Sequence, residues 1–301
     1  METTATQQGS ERLVGIWLAI FTYLAWGLFP FYFVLLKQVS AVEILFHRIF
    51  WSSALTFIII LASPQRRRAL WHLVSSKKIF PFFASALFLG INWCLYIYGI
   101  VAGNVLELSL AYYINPLLNM LLGVFVFGEK MAPLEKIALL LAMLGIGYRL
   151  SDMSSFPTLA LSIAFAFAFY GALRKKSSAD AISALFIEAT LVLPFLLLAF
   201  LFFTEMKSLT LMSTSVYWCA LFVVSGTVTS IPLITFSMAV KRVPYYLIGF
   251  CQYLTPTMLF LSAIFVFHEH YTRADLFTFA AIWSGILLVV FEQRRRILKR
   301  R

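Results

Sequence analysis

Apolar runs of about 20 residues follow one another along this chain with almost no charge inside them. In hydrocarbon every backbone N–H and C=O must find a partner within the protein, so a run of this length folds as a helix. Strand-period alternation is absent. Ten spans can be drawn: 13–36, 41–62, 79–101, 104–128, 133–150, 156–174, 181–203, 215–240, 244–267 and 273–291. The chain is 61% hydrophobic and 12% charged, with mean hydropathy +0.89. A soluble domain carries about twice that share of charge. The fold class expected is therefore an all-α polytopic membrane protein, one helical bundle with short connections and no soluble domain left over.

The net charge of +11 invites a nucleic-acid reading, and its placement argues against one. With the N-terminus inside, the inner segments hold Arg12, Arg66, Arg67, Arg68, Lys77, Lys78, Lys130, Lys136, Arg174, Lys175, Lys176, Lys241, Arg242, Arg294, Arg295, Arg296, Lys299, Arg300 and Arg301. The outer segments hold only Lys37, Arg149, Lys207 and Arg273. Such an imbalance is how membrane proteins fix their orientation, and it favours ten spans with both termini cytoplasmic. A basic tail next to the membrane is drawn to anionic lipid, so lipid is an expected partner and nucleic acid is not. The polar start "METTATQQGSERL" and the lack of a small-residue cleavage site predict no removable signal peptide. Cys94, Cys219 and Cys251 lie in apolar runs without CxxC spacing and read as small buried hydrophobes.

The stretch "YINPLLNMLLGVFVFGE" at 113–129 returns as "YLTPTMLFLSAIFVFHE" at 253–269, an offset of 140 residues. At that offset residues 13–151 overlay 153–291 span on span. The chain thus divides into a cytoplasmic segment 1–12, a first five-helix unit 13–151, a second 152–291 and a basic tail 292–301. Five spans is an odd number, so the second unit enters the membrane upside down relative to the first. In transporters built this way the substrate site lies near the midplane between repeats, beside interrupted helices.

Pro116 and Pro256 recur at matching places, and each removes a helical donor and predicts a kink. Ser109, Tyr112, Asn115 and Asn119 follow a three-to-four spacing and so share one face of the fourth span. Gln252 and Thr255 hold the positions of Tyr112 and Asn115 in the second copy. These faces are expected to look into a shared, partly hydrated cavity; polar side chains bonding across helices are the plainer alternative. Arg48 lies roughly 10 Å from the outer end of its span by helical rise. It follows His47, and Glu43 sits one turn before His47 on the same face. Glu188 is the repeat mate of Arg48, equally deep from the inner side. Ionisable groups at such depth are substrate counter-charges, proton carriers or structural ion pairs. Asn92 and Tyr96 are one turn apart in the third span, followed by Gly99 and Gly103, a pair that predicts close helix contact. Ala160, Ala164, Ala168 and Ala172 form a second close-packing stripe. Trp26, Tyr112, Tyr113 and Tyr253 are the aromatic residues best placed to touch an organic substrate.

Other carboxylates read more simply. Glu107 opens the fourth span and complements its helix dipole. Glu129 and Glu269 precede spans five and ten as capping or turn carboxylates. "HEH" at 268–270 puts two histidines on different helix faces at a surface turn, which does not make a metal site. Asp152, Asp180 and Asp275 all lie near span ends, so no aspartate-rich metal–diphosphate site is expected. No Walker A, HExxH or GxSxG motif occurs. No cofactor is implied, and no catalytic set is assigned.

"AWGLFPFY", "EILFHRIFWS", "NWCLYIYG", "LELSLAYYINPLLNMLLGVFVFGE" and "QYLTPTMLF" resemble the RarD group of the EamA-type transporters, in the drug/metabolite transporter superfamily. The resemblance covers essentially all ten spans. It implies a bacterial inner-membrane carrier of two EamA repeats with a central cavity between them. The second copy departs from the family pattern where "HE" stands in place of "GE". The expected function is secondary transport of a small organic metabolite or drug by alternating access, with proton coupling and exchange both open. An intramembrane lipid-modifying enzyme would instead need clustered nucleophile, base or metal ligands at one depth. A non-transporting membrane subunit would need large loops or a signalling tail.

Overall fold

The structure is a computed structural model that describes residues 2–76, 79–151, 156–203, 215–266, 268 and 271–298. Lys77, Lys78, Asp152, Lys207, Glu269, His270, Lys299, Arg300 and Arg301 lie outside the described residues. The helices are α1 (Glu2–Gly27), α2 (Phe29–Val34), α3 (Ala41–Leu61), α4 (Pro64–Ser75), α5 (Phe80–Val101), α6 (Val105–Phe125), α7 (Pro133–Ser151), α8 (Thr158–Lys176), α9 (Ala181–Phe203), α10 (Val216–Val240), α11 (Tyr245–Gln252), α12 (Leu254–Phe265) and α13 (Arg273–Leu298). No strand occurs among the described residues.

Nine segments of the described chain are long and apolar enough to cross a membrane. The tenth expected span, α7, has 19 residues but carries Glu135 and Lys136 in its first turn and Arg149 near its end. Those charges are held at its two ends. Glu135 is buried against Arg296 at 3.0 Å, and Arg149 meets Asp275 at 3.1 Å. Both partners lie on α13, which runs alongside α7. The outward faces are apolar, with Trp17, Leu87, Leu144, Phe195 and Leu287 all strongly exposed. Large apolar side chains exposed in this number suit lipid rather than water.

The segment 64–75, expected as a loop, is a helix. Ser63 caps it through the Arg66 N–H, and Pro64 occupies its first turn. The polar start of the chain also continues α1 backwards to Glu2. The first span is broken after Gly27 and resumes as α2, with Pro30 in its first turn. The ninth span is broken at Tyr253, three residues ahead of Pro256. The fourth span, α6, runs on as one helix through Pro116.

Helix pairing is orderly. α6 lies against α8, and α12 and α11 against α1; α3 lies against α10, and α5 against α9; α5 lies against α8, and α1 against α10. α3 pairs with α9, α6 with α11, and α7 with α13. Exchanging the first five spans for the last five maps each of these pairings onto another or onto itself. The alanine stripe of α8 is buried throughout. Gly99 packs on Leu108, where an added Cβ would lie 2.6 Å from a Leu108 methyl. Gly103 makes no such contact. It sits beyond the end of α5 at φ 73, where a residue without a Cβ turns the chain. The close-contact expectation therefore holds for Gly99 and fails for Gly103.

Candidate functional site

Arg48 projects from the second turn of α3 into a recess built from both halves of the chain. Its Nε donates to Thr229 Oγ1 of α10 at 2.9 Å. The guanidinium carbon lies over the Phe29 ring at 5.5 Å and the Phe33 ring at 5.2 Å. Tyr32, Tyr96 and Tyr112 are the phenols within its electrostatic reach. Tyr96 and Tyr112 meet edge to face, with ring centroids 6.5 Å apart. Arg48, Phe29, Phe33, Tyr96 and Tyr112 are all only half-buried. Arg48, Tyr96 and Tyr112, read from the sequence as candidates on three separate spans, thus lie near one another. Thr229 and the phenylalanines of the broken first span were not legible as its partners.

The amide residues form a different kind of assembly. Asn119 Nδ2 donates to Gln252 Oε1 at 2.5 Å, and Gln252 Nε2 donates to Asn115 Oδ1. Asn115 Nδ2 donates to the Ala164 carbonyl at 2.6 Å. All three amides are buried at the crossing of α6 and α11. They bond across helices, the plainer of the two sequence expectations, instead of lining an open cavity. Only the Asn119 Oδ1 atom of this trio is left without a partner. Ser109 is exposed and does not share their environment. Asn92 donates to the Ile163 carbonyl at 3.0 Å, a helix bridge between α5 and α8. Thr255 donates to the Tyr23 carbonyl at 2.8 Å. Tyr253 is buried with its hydroxyl unbonded, and Trp26 packs edge-on against Tyr23 and Phe167. Pro116 and Pro256 are both buried, Pro116 inside continuous α6 and Pro256 just past the Tyr253 break.

Glu188 is not isolated. It receives Ser85 Oγ at 2.6 Å and the Tyr170 hydroxyl at 3.2 Å, and it pairs with Arg174 at 3.6 Å. Arg174 itself is buried and donates to Ser237 Oγ through two nitrogens, at 3.1 and 2.5 Å. Arg174, counted from the sequence among the inner-segment cations, is thus folded inward in the last turn of α8, whereas Lys176 is exposed. Tyr170 and Arg174 are one turn apart on α8, so the same helix face delivers both to α9. Lys241, beyond the end of α10, donates to the Ala179 carbonyl, and burial pushes its ammonium down to about 8.

His47 is buried and stacks on Phe222 with centroids 3.9 Å apart, and neither ring nitrogen has a hydrogen-bond partner. Glu107 and Glu129 are capping groups, but each caps a neighbouring helix. Glu107 accepts from the Leu159 and Ala160 N–H groups at 2.8 and 3.2 Å, in the first turn of α8. Glu129 accepts from the Tyr245 and Tyr246 N–H groups at 2.7 and 3.0 Å, which start α11, and pairs with Lys175 at 3.3 Å. A carboxylate on a helix N-terminus is favourable whichever chain segment brings it there. Among the described residues no three potential metal ligands gather.

Residues 13–148 match the EamA-like transporter family. A Vibrio cholerae protein named as an uncharacterized transporter is 37% identical over 96% of this chain and 95% of its own length. Escherichia coli Protein RarD is 35% identical over 92% of this chain and 94% of its own. A Pseudomonas aeruginosa protein named Chloramphenicol-sensitive protein RarD is 28% identical over 95% and 96%. One crystal structure shares the fold at a TM-score of 0.70 and 18% identity, across 95% of this chain and 98% of that one.

Proposed function

This chain belongs to the RarD group of the EamA-like transporters, in the drug/metabolite transporter superfamily, and from that premise we propose that it is a secondary carrier of a small organic metabolite or drug. The carrier works by alternating access between two inverted repeats, 13–151 and 152–291. The exchange of helix pairings between the two halves supports this division. The observation that carries the reading is the recess at Arg48. An ionisable group deep in a span is left half-buried, between aromatic residues of the first half and Thr229 of the second.

We assign the chain to a bacterial inner membrane with both termini cytoplasmic, on the distribution of Lys and Arg. The substrate-facing residues are Arg48, Tyr96 and Tyr112. Asn115, Asn119 and Gln252 join the halves, and Asn92, Thr255 and Tyr253 support them. A thermal-shift screen of metabolites on purified protein, followed by flux of each hit into proteoliposomes, tests the reading. Binding without flux for every hit would end it.

Glu188 and His47 are the two buried groups on which a coupled proton would ride. Glu188→Gln is expected to abolish uptake driven by a pH gradient while leaving counterflow exchange in the same vesicles. Counterflow reports that the carrier is folded. Undiminished gradient dependence would remove Glu188 from the coupling and leave His47 as the candidate proton carrier.

A further inference from the structure

We propose that the Arg48 recess binds the carboxylate of an organic anion whose apolar or aromatic body lies against Tyr96 and Tyr112. This names the substrate class of the transport site above and rests on that reading. The argument starts from an asymmetry between repeat mates. Glu188 is matched by Arg174, Ser85 and Tyr170, and those partners use its charge within the fold. Arg48 is in no ion pair among the described residues, and a single hydroxyl, Thr229, meets its Nε. A guanidinium in a membrane helix is costly unless something compensates it.

The surroundings limit what that compensation is. Phe29 and Phe33 lie over the guanidinium and stabilise its charge through their rings. With Nε engaged by Thr229, the terminal nitrogens remain, and neither is a buried atom without a partner. No hydrogen bond engages them among the described residues, and Arg48 is only half-buried, so they are accessible. Two parallel N–H donors on a planar fork match the two oxygens of a carboxylate. The walls beyond them are phenols and phenyl rings, which favour an organic body over a hydrated inorganic ion.

The test uses the full chain in nanodiscs of zwitterionic lipid. 3-Phenylpropionate and 4-phenylbutyrate are compared with their neutral amides, with chloride and inorganic phosphate as further probes. The carboxylates should raise the unfolding temperature and the amides should not. Arg48→Gln should weaken carboxylate binding about 10- to 100-fold, the worth of a charge-assisted pair. Equal binding of carboxylate and amide to the unaltered protein would overturn the proposal, whether or not the variant folds. So would carboxylate affinity unchanged by Arg48→Gln. Phosphate binding that phosphatidylglycerol nanodiscs compete away would assign the recess to a lipid headgroup and also overturn it. The two readings fail separately. Flux of a neutral compound that survives Arg48→Gln removes the anion site and keeps transport; carboxylate binding without flux keeps the site and removes transport.

Discussion

Arg174→Gln will destabilise the protein by about 3–5 kcal/mol, the usual result of removing one partner from a buried ion pair. Arg174 and Glu188 are exposed by 1% and 0%, so water cannot replace the lost charge. Arg174 also supplies Ser237 and, through Nη1 at 3.4 Å, Ser177, so α8 loses its ties to α10 and to its own C-terminal turn together. The double variant Arg174→Gln/Glu188→Gln should recover much of the loss, because the unmatched carboxylate is then gone. Lys176, one turn-fraction further on and exposed, serves as the control: Lys176→Gln should change stability by less than about 0.5 kcal/mol. Equilibrium unfolding in mixed micelles measures the wild type, these three variants and Glu188→Gln. Additive losses in the double variant would show that the two charges are not coupled.

Arg174 also illustrates where reading a sequence stops. The spans are legible because length and apolarity leave a membrane chain few alternatives, and the basic residues mark their ends. Arg174 stands in "LRKK", where three cations end a helix, and nothing local separates one that folds inward from two that reach water. The decision rests on Glu188, Ser85 and Ser237, which lie on three other helices. The same limit governs Arg48. Its depth follows from its place in α3, but Thr229 is 181 residues away and depends on how α10 is rotated. For Asn115 and Asn119 the shared face was legible, and Gln252 as the repeat mate of Tyr112, whereas the mutual bonding of the three amides depends on how closely α6 and α11 approach. Glu107 and Glu129 were legible as caps, because an acidic residue at a span boundary seeks free N–H groups. The helix each one caps is fixed by packing, and in both cases it is a neighbour. α7 shows the converse: two of the charges that weaken it as an isolated span, Glu135 and Arg149, are matched on α13.

The approach of α6 and α11 depends on Gly249. A Cβ at that position would lie 2.5 Å from the Pro116 carbonyl oxygen and 2.6 Å from Met120 Cγ. The Met120 side chain can turn aside, but the Pro116 carbonyl belongs to the backbone of α6 and cannot. Gly249→Ala therefore forces the two helices apart by several tenths of an ångström. Gln252 lies one turn further along the same face of α11, so the separation also stretches its bonds to Asn115 and Asn119. Overpacking of this kind costs about 1–3 kcal/mol, and weakened buried amide bonds add to it. Gly147→Ala is the matched control. That glycine is exposed on α7 with open space around it, so the change should stabilise by up to about 1 kcal/mol. If the repeats rock against each other across this crossing, the initial rate of substrate flux should fall at least about tenfold in Gly249→Ala, for a barrier raised by about 1.4 kcal/mol. The rate is scored per molecule of inserted, folded protein, which separates movement from stability. Wild-type flux in a folded Gly249→Ala carrier would mean that the halves do not move across the contact between α6 and α11.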